Sequence, residues 1–314
     1  MPLRSHEVDL FEASRARLGA IAYRLLGSAS EAEDAVQETF LRWDAADREH
    51  IQVPEAWLTK VLTNLCLTQL TSARARRETY VGQWLPEPVL DGDPMLGPAD
   101  TAEQRESVSL AVLVVMERLS PTERAVYVLR EAFSHSHAEI AAILDITEAG
   151  SQQTFHRAKR HLTAEVPRAE VDRAAARKVI DEFLAAAAGG DVEALVKLLT
   201  EDAVAVGDGG GKVPARAKPF SGALAVAKFL RGLFKPGAAK RELLGGPAAI
   251  HTAVVNGAPA LVAVVDGRLA GIMGIEVTGG RVSAVRNMVN PDKLVRAERQ
   301  WRSGDHGEPI MSAW

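Results

Sequence analysis

Apolar residues recur at three- and four-residue steps through most of the first 165 positions, the spacing of amphipathic helices. Leu18, Ile21, Ala22 and Leu25 share one face of a segment from residue 8 to 26, and Gly27 can close that helix in the left-handed region. Ser30-Glu31-Ala32-Glu33 has the form of a capping box, with a hydroxyl and a carboxylate for the free backbone N–H groups, and it opens a helix carrying Val36, Phe40 and Trp43 on one side. Pro54 suits a first helical position. Trp57, Leu58, Val61, Leu62, Leu65 and Leu70 follow at helical steps toward a basic end at Arg74, Arg76 and Arg77.

The pattern breaks between Thr79 and Ala99, where four prolines (Pro86, Pro88, Pro94, Pro98) and three glycines forbid a continuing helix or a central strand. It resumes from Asp100 to about Ala164, with capping boxes at Ser120-Pro121-Thr122-Glu123 and Ser136-His137-Ala138-Glu139. Residues 138–144, a turn at 145–147 and a polar helix from 148 to 161 form a helix-turn-helix layout, the shape used for major-groove reading.

Beyond Pro167 the rhythm changes again. An alanine-rich helix over 174–188 precedes a short amphipathic one through Leu195, Leu198 and Leu199. From His251 onward, apolar runs alternate with Asn256-Gly257, Asp266-Gly267 and Gly279-Gly280, the turn pairs of an antiparallel meander. The predicted organisation is an all-α domain over 1–78, a linker over 79–99, a second all-α domain over 100–166, an α+β domain over 167–300 and a loose tail over 301–314.

Composition narrows the class. With 47% hydrophobic and 25% charged residues in 314, the chain reads as an ordinary globular protein of several domains. No apolar run is long enough for a bilayer and the start lacks a basic flank before an apolar stretch, so a cytoplasmic protein is expected, with no membrane partner. One cysteine, Cys66, excludes an intrachain disulfide. The lack of a Cys or His cluster near it argues against a structural zinc site, and neither metal nor cofactor is expected. A net charge of -4 is wrong for a protein that binds DNA by a blanket of positive charge. Any DNA contact must be local, as in a protein that reads DNA while docked on a larger partner.

Two strings carry a family resemblance. Ile21-Ala22-Tyr23-Arg24-Leu25-Leu26-Gly27-Ser28 followed by Ala32-Glu33-Asp34-Ala35-Val36-Gln37-Glu38-Thr39-Phe40-Leu41-Arg42 resembles region 2 of bacterial sigma factors of the extracytoplasmic-function type. Leu119-Ser120-Pro121-Thr122-Glu123-Arg124-Ala125-Val126-Tyr127-Val128-Leu129-Arg130-Glu131 with Glu139-Ile140-Ala141 is similar to their region 4. The resemblance implies that the chain binds core RNA polymerase, reads the -10 and -35 promoter elements and initiates transcription without being an enzyme itself. Asp34, Gln37, Glu38, Leu41 and Arg42 would meet polymerase, since they recur on one helix face. Lys60, Asn64, Arg74, Arg76 and Arg77 would serve the -10 element, supplying phosphate and base contacts to melted DNA. Ser151, Gln152, Gln153, Thr154, His156, Arg157, Lys159 and Arg160 would serve the -35 element as donors and acceptors for base edges and phosphates. Trp57 fits the apolar stripe better than a stacking role. Gly150 lies in the recognition helix, where glycine costs roughly 1 kcal/mol relative to alanine.

Three further strings resemble the subgroup that carries a fused SnoaL-like domain of the nuclear-transport-factor-2 superfamily, an α+β cone. They are Tyr80-Val81-Gly82-Gln83-Trp84-Leu85-Pro86-Glu87-Pro88, Asp208-Gly209-Gly210-Gly211-Lys212 and Asn290-Pro291-Asp292-Lys293-Leu294. This resemblance suggests that the third domain modulates activity by packing against the linker and the two sigma domains, with Tyr80, Trp84, Pro86, Pro88, Asp208 to Lys212 and Asn290 to Leu294 as the regulatory interdomain contacts. Asp208 to Lys212 lacks the spacing of a phosphate loop, which leaves a tight turn or a small-ligand site. Other readings remain open at this point: a SnoaL-like enzyme using Asp208 and His251 as acid and base, an apolar pocket that holds an unidentified small molecule, and a one-component regulator. His135 and His137 fit surface or capping roles.

Overall fold

The first three helices form where the apolar periodicity requires. Residues 5–78, 80–165, 173–235 and 237–312 are described in the computed structural model, except the side chains of residues 5, 73–78, 164–165, 173–177, 239, 240 and 243. Helix α1 spans Ser5–Leu26, α2 Ala29–Ala45 and α3 Pro54–Glu78. Leu18, Ile21, Ala22 and Leu25 are buried, and Gly27 ends α1 at φ 67. The cap of α2 differs from expectation: Ser28, not Ser30, accepts from the Glu31 N–H, so the helix starts two residues earlier, at Ala29. Cys66 is buried in α3, and that burial pushes its thiol up from the ordinary value.

The second helical stretch consists of α4 (Ala102–Glu106), α5 (Leu110–Met116), α6 (Pro121–Tyr127), a π-helical turn at Val128–Ala132, α7 (His137–Leu144) and α8 (Glu148–Glu165). Both expected capping boxes are present, at Ser120 with Glu123 and at Ser136 with Glu139. Asp145 takes the left-handed conformation, φ 54, and makes the tight turn between α7 and α8.

Met1–Thr79 and Gly92–Val166 cluster as one compact unit; Tyr80–Asp91 and Pro167–Trp314 form the other. The Pro/Gly-rich linker is thus shared out, Tyr80–Asp91 with the C-terminal unit and the rest with the helical one. Within the helical unit, α1 packs on the second stretch through Arg24, a fully buried guanidinium. It donates to Ser107 Oγ (2.9 Å) and to the carbonyls of Leu96 (2.6 Å) and Ala20 (3.3 Å). Its desolvation lowers its pKa to about 10.

The C-terminal unit contains α9 (Arg173–Gly189), α10 (Val192–Leu198), β1 (Leu199–Asp208), β2 (Phe220–Ser221), α11 (Ala223–Phe234), α12 (Ala238–Leu244), β3 (Ala249–Val255), β4 (Ala258–Val265), β5 (Arg268–Thr278), β6 (Arg281–Met288) and α13 (Pro291–Ser303). The sheet order is β2-β1-β6-β5-β4-β3. Strands β3 to β6 are the expected meander, and its turns lie where the Asn-Gly, Asp-Gly and Gly-Gly pairs stand, with Asn256 at φ 53 and Asp266 at φ 48. Strand β1 joins parallel to β6, with Asp208 opposite Met288. Phe183, Leu195, Val226, Leu230 and Val285 form part of the core between this sheet and the helices.

Residues 301–312 are not a loose tail. Trp301 is buried within α13, and the segment beyond it returns to the edge of the sheet, where Ile250 and Met311 bridge through a 2.8 Å bond from the Ile250 N–H to the Met311 carbonyl. An unpaired edge strand is thereby covered.

Candidate functional site

On α2, the helix phase turns Ala32, Ala35, Val36, Thr39 and Trp43 inward. Asp34, Gln37 and Arg42 are left exposed, Glu38 is half-buried, and Leu41 is 60% exposed. Glu38 and Arg42 pair one turn apart at 2.9 Å. All five candidate polymerase contacts thus share one accessible face, an apolar side chain framed by mixed charge.

On α3, Asn64 is exposed and Lys60 half-buried. Lys60 Nζ donates to Asp145 Oδ1 at 2.6 Å and to the Ala142 carbonyl at 2.9 Å, and so caps the C-terminal end of α7, where a cation is favoured. A residue expected at the -10 element is held by the turn of the helix-turn-helix. Trp57 is half-buried with its ring 5.6 Å from that of Trp43. Arg74, Arg76 and Arg77 fall outside the described side chains.

On α8, Gln152, Gln153, His156, Arg157 and Arg160 are exposed, and Lys159 is half-buried in an ion pair with Glu131 at 2.7 Å. Ser151 and Thr154 correct the expected set. Ser151 is 0% exposed and its Oγ shares a 2.9 Å hydrogen bond with His137 Nδ1, while Thr154 is buried and accepts from Arg157. Both lie on the stripe of Phe155, Ala158 and Leu162 that packs inward, so they hold α8 in place instead of presenting to a duplex. Gly150 has a local reason: a Cβ there would stand 3.0 Å from the Thr147 Oγ1 that accepts the Gly150 N–H.

The three strings noted in the sequence meet around one carboxylate. Asp208, at the end of β1, is 0% exposed. Its Oδ1 accepts from the Tyr80 hydroxyl (2.6 Å) and the Gly210 N–H (3.1 Å), and its Oδ2 from the Leu85 N–H (2.8 Å) and the Lys293 ammonium (2.8 Å). Lys293 also donates to the Leu85 carbonyl at 2.7 Å and lies 4.8 Å and 4.3 Å from the ring centres of Tyr80 and Trp84, within reach of cation–π attraction. Asn290 caps α13, accepting from the Asp292 N–H and donating to Tyr80 Oη at 2.8 Å. Lys212 pairs with Asp292 at 2.7 Å. Burial, and then the facing Asp208 carboxylate, push the Tyr80 phenol well above its ordinary pKa. A buried ion pair holds only when its remaining donors and acceptors are satisfied, and here two backbone groups and a phenol satisfy them.

The glycines make this possible. Gly210 sits at φ 58, and a Cβ would stand 2.2 Å from Asn290 Nδ2; one on Gly211 would stand 3.2 Å from Val81. Pro86 and Pro88 are buried in the same stretch, followed by Val89, which exchanges backbone and side-chain hydrogen bonds with Asn256 (2.9 and 3.1 Å). Leu294 is buried in α13, whose first residue is Pro291. Sequence reasoning missed Asn256 as a linker contact, since an Asn-Gly pair signals a turn and nothing more. It also missed Gln83, whose Nε2 donates to the Ala217 carbonyl at 2.6 Å. Of the two acid–base candidates, Asp208 is committed to this cluster, and His251 meets the Trp301 ring at 5.3 Å.

Two all-α regions, one with an exposed charged helix and one with a helix-turn-helix, joined through a linker to a mixed α/β sheet, define a sigma factor with an appended C-terminal domain. Family models agree: Sigma-70 region 2 matches residues 10–76 and Sigma-70, region 4 matches 109–162. The ECF RNA polymerase sigma factor SigJ of Mycobacterium tuberculosis is 39% identical over 298 residues, covering 92% of this chain and 93% of that one. The probable ECF RNA polymerase sigma factor SigI of the same organism is 32% identical over 296 residues, covering 92% and 95%. The crystal structure of M. tuberculosis SigJ matches with a TM-score of 0.71 at 35% identity, over 92% of this chain and 98% of that one. The chain belongs to the extracytoplasmic-function RNA polymerase sigma factors, proteins that bind core RNA polymerase and promoter DNA. No described helix is long and apolar enough to cross a membrane.

Proposed function

We propose that the C-terminal domain controls this sigma factor by holding the linker, and that the helical unit seen here is the closed form. Residues -10 and -35 of a promoter are about 25 base pairs apart, roughly 85 Å of duplex at ~3.4 Å per pair. Lys60 of region 2 and Asp145 of region 4 are 2.6 Å apart. Two regions in contact cannot occupy elements that far from one another, so promoter engagement requires them to separate and the linker to be paid out. Extended chain spans at most ~3.6 Å per residue, so 21 residues (79–99) reach about 75 Å, and the eight left when 80–91 are held (92–99) reach about 29 Å. The Asp208 cluster takes up that difference. The observation that carries the reading is the buried Asp208 carboxylate shared by Tyr80, Leu85 and Lys293.

In this reading Asp34, Gln37, Glu38, Leu41 and Arg42 dock on core polymerase, Lys60 and Asn64 serve the -10 element, and Gln152, Gln153, His156, Arg157 and Arg160 face the -35 element with Lys159 beside them. The protein acts in the cytoplasm, where polymerase is. Run-off transcription with core polymerase tests the control. Asp208→Asn is expected to raise transcript yield over wild type and to speed amide exchange over residues 80–91. Unchanged yield together with unchanged exchange would refute it. Leu41→Asp, on the exposed face, is expected to abolish association with core polymerase while the melting temperature stays the same.

A further inference from the structure

The C-terminal unit contains a partly open cavity of about 300 Å³ beside the linker cluster. Its size is that of a small-molecule site, at the lower end of the ~300–1,000 Å³ range. Phe229, Leu233 and Phe234 of α11 form one wall, and Leu261 and Met273 of the sheet form another. Among the described residues the lining contains no Asp, Glu, His, Cys, Ser, Thr or Tyr, so these offer neither a carboxylate nor an imidazole for proton transfer and no hydroxyl or thiol nucleophile. The pocket is built to hold, not to convert. Among the described lining residues the charged ones are Arg216 and Lys218, both cations, beside the amide of Asn287. The Arg216 guanidinium lies 4.5 Å from the Phe220 ring centre, and Phe220 stacks on Phe229 at 4.5 Å, which ties the charged rim to the apolar wall.

The rim is continuous with the linker cluster. Residues Val213 to Arg216 and Lys218 line the cavity, and only Gly209 to Lys212 separate them from Asp208. The Val213 N–H bonds back to the Gly209 carbonyl at 3.1 Å, and Gln83 of the linker holds the Ala217 carbonyl in the middle of the rim.

We propose that this cavity binds a small lipophilic carboxylic acid, with the hydrocarbon between α11 and the sheet and the carboxylate at Arg216 and Lys218, and that occupancy is passed to the linker through residues 209–218. An apolar wall alone would take any hydrocarbon; two cations with no opposing acid select an anion. The passage to the linker rests on the clamp reading above, while binding itself does not.

Calorimetric titration of the full chain with decanoate, and with decanol as its neutral match, tests the site. Decanoate is expected to bind saturably at one site per chain. Arg216→Ala with Lys218→Ala, both exposed positions, is expected to weaken decanoate by roughly tenfold or more and to leave decanol unchanged. Absence of saturable binding, or equal decanoate affinity in the double variant, overturns the site. At saturating decanoate, altered amide exchange over 80–91 supports the relay and unaltered exchange overturns it. Asp208→Asn is expected to keep saturable decanoate binding, with its affinity changed by the same factor by which decanoate shifts the linker. Should that variant still bind decanoate saturably yet leave transcription unchanged, the clamp reading fails and the ligand site stands.

Discussion

The Tyr80 hydroxyl donates a 2.6 Å hydrogen bond to the carboxylate of Asp208, a residue 128 positions further along the chain. The same oxygen accepts from Asn290. Tyr80 is therefore a linker side chain bonded to both of the other motif strings.

Tyr80→Phe keeps the ring beside Lys293 and removes only the hydroxyl. A hydrogen bond to a charged group contributes about 1.5–3 kcal/mol, and Asp208 Oδ1 retains the Gly210 N–H. Amide exchange at residues 80–91 is expected to quicken by about tenfold or more, with the meander strands unaffected. Hydrogen exchange resolved by segment measures it.

Gly210→Ala and Gly279→Ala share a φ of 58 but differ in surroundings, since a Cβ at 210 collides with Asn290 and one at 279 meets nothing within 4 Å. The second variant should lose only the left-handed penalty, roughly 1 kcal/mol. The first should lose that and the Asn290–Tyr80 bond as well, for about 2 kcal/mol or more in total. Chemical denaturation of the two variants side by side gives the difference.

Lys60→Ala removes the contact with Asp145. Lys60 and Asp145 are 37% and 73% exposed, and pairs of that kind contribute at most about 1 kcal/mol. The melting temperature should barely move. On the -10 role proposed for Lys60, promoter opening, followed by fluorescence of a base in that element, should fall.

Burial holds His135 below its ordinary value of 6.5, and the neighbouring Arg17 adds to this against the opposing Glu139; desolvation and Arg130 lower His137 likewise. Just below pH 6.5 the unfolded chain then binds more protons than the folded one. Stability is whole above that value and is lost as pH falls toward the folded values. The helical unit should melt at a lower temperature at about pH 5.5 than at about pH 7.5, before carboxylates titrate. Replacing both histidines with glutamine should flatten that slope.

What could be read from the sequence was mostly what is encoded locally. Asn256-Gly257 and Asp266-Gly267 specify their turns within four residues, and Ser136 with Glu139 specifies a helix start within one helical turn. Ser28 and Ser30 are both competent caps, and only the burial of Ala29 and Ala32 decides between them. The inward turn of Ser151 and Thr154 was present in the phase of Phe155, Ala158 and Leu162, but their hydroxyls suggested a duplex first. The parallel pairing of β1 with β6 has no local signal, since it joins residues some eighty apart. Nor has the return of Met311 to Ile250, whose bond is made by backbone alone. The three motif strings were recognisable as belonging together, yet the geometry joining them depends on that unsignalled strand pair.

Because β1 and β6 run the same way, the loops leaving Asp208 and Met288 emerge side by side, and this places Lys293 against a segment made more than two hundred residues earlier. A ribosome releases both promoter-reading regions well before it reaches the residues that capture the tether between them. On the proposed clamp, each newly made molecule passes through an interval in which its DNA-reading parts are complete while the tether between them is still uncaptured, an interval that lasts through synthesis and the slow closure of a long-range sheet.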